Sequence, residues 1–361
     1  MHLPAMRRRA PRHARHAPSP GIPARIPELD ALRLVAALSV VLFHYTFSGW
    51  AGGTTTVPYE ELGAWTRYGY LGVDLFFMIS GFVVLMSAWT ATPRRFVTSR
   101  VARLYPAYWF AVLATALVTL VLGGEFFTVS VEQVLVNLTM FQAVVDVPDV
   151  DVVYWTLWAE MRFYLLILAL TWIGVTRSRV MGVLWGWLAL TALVEAGLLP
   201  RAADLVVQSE FSHYFIAGMA LFLARQGRMT WPLGLLLVLC LGNAVHRALG
   251  YAAAVGRRYS VTYDELTVAA AVIVIFAVVA MVALGATRRL GRPWMVSAGA
   301  LTYPLYLLHA HLGFILIEQV GAAVNRYALL LALVAAMSAM AWLVHRFVER
   351  PVAPLIRRTL A

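Results

Sequence analysis

LRLVAALSVVLFHYTF, residues 32–47, decides the reading of this chain. The stretch is apolar enough to cross a membrane, yet it holds Arg33 and His44 as its only strongly polar side chains, since Ser39 can bond its own backbone. Eleven helical steps of 100° bring the two residues within about 20° of alignment, roughly 16 Å apart along the axis. One helix face then carries a permanently charged group near one membrane surface and a titratable group deep inside. Each has an ordinary explanation taken alone. Arg33 can snorkel to the headgroups, and His44 can be an interhelical packing residue. Their alignment points instead to a path along that face.

The chain has 361 residues, 61% hydrophobic and 13% charged, with a mean hydropathy of +0.75. Soluble domains carry about 25% charged residues, so this composition is that of an all-α integral membrane protein. All 29 basic residues are arginine. The absence of lysine excludes Schiff-base chemistry and a lysine nucleophile. The net charge of +11 falls between apolar spans in a topological rhythm, which argues against nucleic acid as a partner. The single cysteine, Cys240, lies in an apolar stretch and leaves no disulfide framework or zinc site, so no metal is expected.

Residues 1–27, rich in arginine and proline, are expected to form a disordered basic cytoplasmic tail, and residues 28–361 a single membrane domain. The tail and first span could imitate a signal peptide, but cleavage near Ala51 would discard Arg33 and His44, so an uncleaved span is preferred. Apolar stretches at about 31–48, 69–90, 105–123, 155–173, 179–198, 211–225, 231–250, 266–286, 299–319 and 328–347 give a bundle of about ten transmembrane helices. Arginines cluster after the second, fourth, sixth, eighth and tenth, whereas the 124–154 loop holds only acidic charges. This pattern places both termini in the cytoplasm of a multi-pass inner-membrane protein. The loop with Arg247, Arg257 and Arg258 dissents, although Asp264 and Glu265 lie in it too.

Topology then assigns depth. Arg33 falls at the inner surface, and His44, Asp74 and Glu160 are expected to share a level in the outer half, on three different spans. A carboxylate beside an imidazole suits a general base acting on a hydroxyl, so Asp74 or Glu160 would orient His44. Asp74 could instead cap its helix, and Glu160 could serve an ion pair. At the inner surface Arg100 and Arg103 share one helix face and, with Arg33, suit a phosphate-bearing ligand; as an RxxR alone they could simply set topology. Tyr303, Tyr306 and His309 form a stripe facing the bundle interior, which interhelical bonding explains as well as a site does. Ser80 is a weak candidate nucleophile.

Six segments in order resemble the acyltransferase 3 family of membrane acyltransferases: LDALRLVAALSVVLFH, GVDLFFMISGF, the RxxR-LYPAYW junction, YWTLWAEMRFYLL, LTYPLYLLHAHL and FVERPVAPLI. Together they cover nearly all of the chain after residue 27. The resemblance implies an O-acyl transfer from a cytoplasmic acyl-coenzyme A, with acetyl-coenzyme A the expected co-substrate, to a sugar or glycan hydroxyl. No bound cofactor is implied. The family's essential histidine matches His44, and its arginines match Arg33, Arg100 and Arg103; roles for Asp74 and Glu160 come from the reading of depth. Thr156 stands where many members have serine. Members with an appended extracytoplasmic esterase-like domain are larger; none is expected here.

The combined expectation is that Arg33, Arg100 and Arg103 hold coenzyme A phosphates while His44 deprotonates the acceptor. Tyr303, Tyr306 and His309 then line the wall or donate to the oxyanion. Transient acylation of His44 is the mechanistic rival. A proton-coupled transporter of a saccharide or lipid-linked sugar is the competing class, although no inverted repeat is visible. Acyl chain, acceptor position, side of transfer and oligomeric state stay open.

Overall fold

The computed structural model describes residues 25–124 and 127–360; of the expected tail, residues 1–24 lie outside the described residues. Ten long helices carry the architecture, and no strand occurs among the described residues. They are α1 Pro27–Phe43, α2 Gly72–Ala88, α3 Pro93–Leu122, α4 Trp155–Ile173, α5 Arg177–Glu195, α6 Ser212–Gln226, α7 Trp231–Tyr259, α8 Glu265–Ala283, α9 Pro293–Val320 and α10 Arg326–Val344. Eight helical segments, which include every long helix except α5 and α6, are long and apolar enough to cross a membrane. The expected count of ten thus corresponds to ten long helices, of which eight have the length and composition of spans. At 15 residues, α6 rises only about 22 Å, short of a hydrocarbon core of roughly 30 Å. It is buried at every position from Ser212 to Ala224.

Glycines set the helix contacts. A methyl group at Gly81 of α2 would collide with the Phe215 carbonyl, and one at Gly218 of α6 with the Met78 carbonyl. Lipid tails are as apolar as leucine, so close backbone approach rather than water exclusion holds such helices together. α1 is gripped in the same way. Gly72 sits on the Ala36 carbonyl, and Gly313 of α9 leaves room for the Tyr45 ring. The Tyr45 hydroxyl donates to the His309 carbonyl at 2.8 Å, fixing the register of α1 against α9.

Local signals explain the helix starts. Pro27 opens α1 with Glu28 and Asp30 in its first turn, a favourable placement against the helix dipole. Thr92 caps α3 by accepting from the Arg95 amide at 3.3 Å. The 30 residues of α3 then run without interruption from the arginines into the apolar span. Past Phe43, the residues His44–Ser48 form a π-helical turn that continues α1 with a wider winding.

Arginines gather where helices end. Arg177 donates to the Leu223 carbonyl at 2.6 Å and Arg225 to the Ala283 carbonyl at 2.7 Å. Arg94 reaches the Leu360 carbonyl, at the end of the last helix, at 3.0 Å. Carbonyls at helix C-termini lack intrahelical donors, so arginine there is both a cap and a favourable charge.

The acidic loop before α4 is tied to α9. Asp151, wholly buried, accepts from the Val153 amide at 3.1 Å and the His311 amide at 2.9 Å. Burial outweighs these donors and pushes its carboxyl up to about 7.

Two predictions follow from these contacts. Gly218→Ala should lower the melting temperature of the purified protein, since overpacking costs roughly 1–3 kcal/mol. Gly242→Ala, where an added methyl meets nothing within 4 Å, should be neutral or gain up to about 1 kcal/mol of helix propensity. Equal responses would remove the α2–α6 contact as a constraint. For Asp151, the folded state keeps a proton that the unfolded chain loses above about pH 4, so this group's contribution to stability declines as pH rises from about 4 to 7. Asp151→Asn should shrink the difference in melting temperature between about pH 5 and pH 7.5; an unchanged difference would contradict the assignment.

Candidate active site

His44 is the first residue of the wide turn that ends α1. Its Nδ1 lies 2.9 Å from the Val40 carbonyl oxygen and 3.0 Å from Nε2 of His309. On α9, Nδ1 of His309 lies 2.8 Å from the Tyr306 carbonyl oxygen. These distances assign the tautomers. A carbonyl oxygen can only accept, so each Nδ1 carries the proton. His309 then presents an Nε2 lone pair to His44 Nδ1–H. What remains on His44 is an Nε2 lone pair, the atom a general base uses. His309 is fully buried, whereas His44 lines a cavity.

That cavity measures about 870 Å³. His44, Asp74, Glu210, His213 and Tyr214 lie on its walls, facing Arg247, Tyr251 and Tyr259. A second cavity of about 270 Å³ contains Arg25, Arg33, Arg100, Arg103, Asp30 and Glu160, with Ser80, Tyr164 and Tyr303 around them. Val73 and Tyr306 belong to both linings. The two cavities therefore adjoin end to end along α1, one at Arg33 and the other at His44. The Tyr306 hydroxyl shares a hydrogen bond with Thr156 Oγ1 at 3.0 Å, and its ring meets Phe76 edge-on with centroids 5.6 Å apart. These contacts form the partition between the cavities.

The carboxylates do not stand where depth alone had put them. Glu160 belongs to the arginine cavity: its Oε1 accepts from Ser80 Oγ at 2.7 Å and from the Tyr164 hydroxyl at 2.6 Å. Asp74 does share the His44 cavity, in the first turn of α2, but its Oδ2 accepts from the Tyr214 hydroxyl at 3.0 Å. Neither carboxylate is hydrogen-bonded to His44 among the described residues, and the expected orienting partner is replaced by His309. The physical reason is helix phase. Depth fixes a residue's height along its span, while the rotation of α2 and α4 decides which cavity its side chain enters.

The arginines do converge. Arg33 lies 3.6 Å from Asp30, which Arg25 also holds at 2.6 Å. Arg100 lies against the Phe96 and Tyr164 rings, its guanidinium carbon 5.6 Å from each centroid, while its Nε is buried without a partner among the described residues. Arg103 is exposed at the cavity edge. Four guanidiniums against two carboxylates leave the pocket cationic. Tyr303 belongs to this cavity too, its hydroxyl donating to the Leu104 carbonyl at 3.2 Å. Arg25, Asp30, Tyr164 and the histidine pairing were not singled out from sequence. Asp30 was legible in principle, being three residues before Arg33 on the same helix face. No cluster of three metal-ligating side chains forms among the described residues.

The acyltransferase domain family matches residues 26–346 of this chain. Exopolysaccharide production protein ExoZ of Rhizobium meliloti (strain 1021) is 31% identical over 263 residues, covering 69% of this chain and 78% of that protein. Shorter stretches resemble two O-acetyltransferases. Peptidoglycan O-acetyltransferase OatA of Listeria monocytogenes is 26% identical over 99 residues, 26% of this chain and 13% of that protein. O-acetyltransferase OatA of Staphylococcus aureus (strain NCTC 8325 / PS 47) is 29% identical over 110 residues, 28% of this chain and 16% of that protein. No solved structure matches the chain. With its all-helical membrane architecture and a family match over nearly the whole length, the chain belongs to the acyltransferase 3 family.

Proposed function

We propose that this protein transfers an acyl group, acetyl being the simplest, from acyl-coenzyme A to a hydroxyl of a glycan, with His44 as general base. The observation that carries the proposal is the contact of the two histidines, with His44 Nδ1 2.9 Å from the Val40 carbonyl oxygen and 3.0 Å from His309 Nε2, an arrangement in which Nε2 of His44 serves as the base. The names of the relatives, exopolysaccharide production and peptidoglycan O-acetylation, support a saccharide acceptor.

In this reading the donor's phosphates occupy the cationic cavity of Arg33, Arg100 and Arg103, on the cytoplasmic side. Guanidiniums suit phosphate because their planar forks give paired, charge-assisted hydrogen bonds. The pantetheine arm passes the Val73–Tyr306 partition, so that the thioester carbonyl reaches His44 from one cavity as the acceptor enters from the other. His44 Nε2 takes the acceptor's hydroxyl proton as its oxygen attacks the carbonyl carbon. A tetrahedral intermediate forms and collapses, the carbon–sulfur bond breaks, and the departing thiolate recovers the proton from His44. His309 is a positioning residue here. It accepts from Nδ1–H in both protonation states and keeps Nε2 facing the reactants. Glu160, braced by Ser80 and Tyr164, sets the shape and charge of the donor cavity rather than the basicity of His44.

Purified protein supplied with labelled acetyl-coenzyme A and a glycan acceptor provides the test. His44→Ala should lower kcat by about 10²–10⁴-fold. Label transfer equal to wild type would end the general-base reading, and an acyl-protein trapped without acceptor would favour a covalent route. Arg100→Ala should raise the donor KM about tenfold, the loss of one charge-assisted contact. An unchanged donor KM would remove the arginines from donor binding. His309→Phe, which leaves His44 Nδ1 without its ring acceptor, should lower kcat by roughly 10–100-fold with donor KM little altered. A donor KM effect with kcat intact would contradict its positioning role.

A further inference from the structure

The His44 cavity is far larger than acyl transfer to a small acceptor requires. At about 870 Å³ it falls in the upper part of the range for ligand sites, roughly 300–1,000 Å³. Its walls mix signs, with Asp74, Glu210 and Glu265 near Arg247 and Arg258. Such a lining favours a neutral, hydroxyl-rich occupant over a phosphate. Tyr251 and Tyr259 on the wall offer aromatic surface of the kind that suits the apolar faces of a sugar ring.

One wall holds polar groups whose hydrogen bonds are incomplete. His213, in the first turn of α6, is wholly buried, yet neither ring nitrogen has a hydrogen-bond partner among the described residues. The Ser209 carbonyl stands near the ring without meeting hydrogen-bond geometry. The Tyr70 hydroxyl is likewise buried and unpartnered among the described residues. Both residues line the cavity, as does Asp74, whose Oδ2 is held by Tyr214, the next residue after His213. The other Asp74 oxygen carries no hydrogen bond among the described residues. Both groups are closed off from the cavity as it stands, so a ligand reaches them once the wall side chains shift. A buried polar group left unpaired costs about 1–3 kcal/mol, so pairing them with a ligand offsets that shift.

We propose that His213, Tyr70 and Asp74 form a hydroxyl-recognition subsite that holds a ring of the acceptor saccharide and directs another of its hydroxyls toward His44. The unprotonated His213 nitrogen and the free Asp74 oxygen accept from sugar hydroxyls, and the Tyr70 hydroxyl donates or accepts. Asp74 thereby acts on the acceptor, which accounts for its place in the His44 cavity without contact to His44. The subsite rests on the transferase reading above and deepens it by naming the acceptor's chemistry and the groups that select it.

The test is a binding measurement on the purified full chain, independent of turnover. Cellotetraose, chitotetraose and, separately, coenzyme A are titrated into wild type, His213→Leu, His213→Gln and Tyr70→Phe. One or both tetrasaccharides should bind wild type. His213→Leu should lower the ratio of saccharide to coenzyme A affinity about tenfold, with His213→Gln recovering part of it. Tyr70→Phe removes a single oxygen and is the milder change to the fold; it should lower the same ratio about threefold or more. Equal ratios in all four proteins would overturn the subsite while leaving the transferase reading standing. Coenzyme A binding by a wild type that binds neither tetrasaccharide would also overturn it and leave the donor side intact. Failure to bind either class of ligand would overturn the subsite and remove the support for acyl-coenzyme A as donor.

Discussion

The hydrogen bond between His44 and His309 is the contact on which the site depends. Two main-chain carbonyls, one on each helix, determine which nitrogens carry protons, and the 3.0 Å bond between the rings makes those choices consistent. A single-residue slip of α9 would rotate His309 by 100° and leave His44 without its acceptor. The fold resists that slip through Tyr45, whose ring fills the space beside Gly313 and whose hydroxyl holds the His309 carbonyl. The wide turn at His44–Ser48 belongs to the same device, because it begins at the residue whose side chain must reach α9. π-Turns are rare in helices and frequently mark functional positions, and here the catalytic candidate is the first residue of the turn.

Polar groups inside a membrane are expensive unless they face one another or a cavity. This chain concentrates them in two adjoining chambers of opposite character. One holds arginines offset by Asp30 and Glu160; the other holds histidines and tyrosines beside a few mixed charges. Tyr306 separates them and bonds to Thr156, and its own carbonyl holds His309. A single residue therefore connects the boundary between the chambers to the tautomer of the base.

Much of this was legible in the sequence. Arg33 and His44 stood out as the polar residues of one apolar helix, and each lines one of the two adjoining cavities. Arg100 and Arg103 were expected beside Arg33, and all three line one pocket. The stripe of Tyr303, Tyr306 and His309 was readable from spacing, but its division among two cavities and the histidine pair was not. Periodicity gives the face of a residue on its own helix; it does not give the rotation of one helix against another. Glu160 was misplaced for that reason. The same limit hid His213, which in sequence is one histidine in a short apolar stretch and becomes informative only once its nitrogens are seen to lack partners. The ten apolar stretches correspond to ten long helices among the described residues, of which eight have the length and composition of spans; the short buried α6 resembles a span in sequence while packing against protein.

The central claim concerns one proton, and it can be observed directly. Nitrogen-15 NMR of protein labelled at histidine, with His44→Gln and His309→Gln used to assign the signals, reports which ring nitrogens are protonated near neutral pH. The account predicts that His44 and His309 are both protonated at Nδ1 and bare at Nε2, with His44 Nδ1–H coupled to His309 Nε2 across the hydrogen bond. A His44 carrying its proton on Nε2 would contradict the account, because the ring would then present a donor where the reaction needs a base.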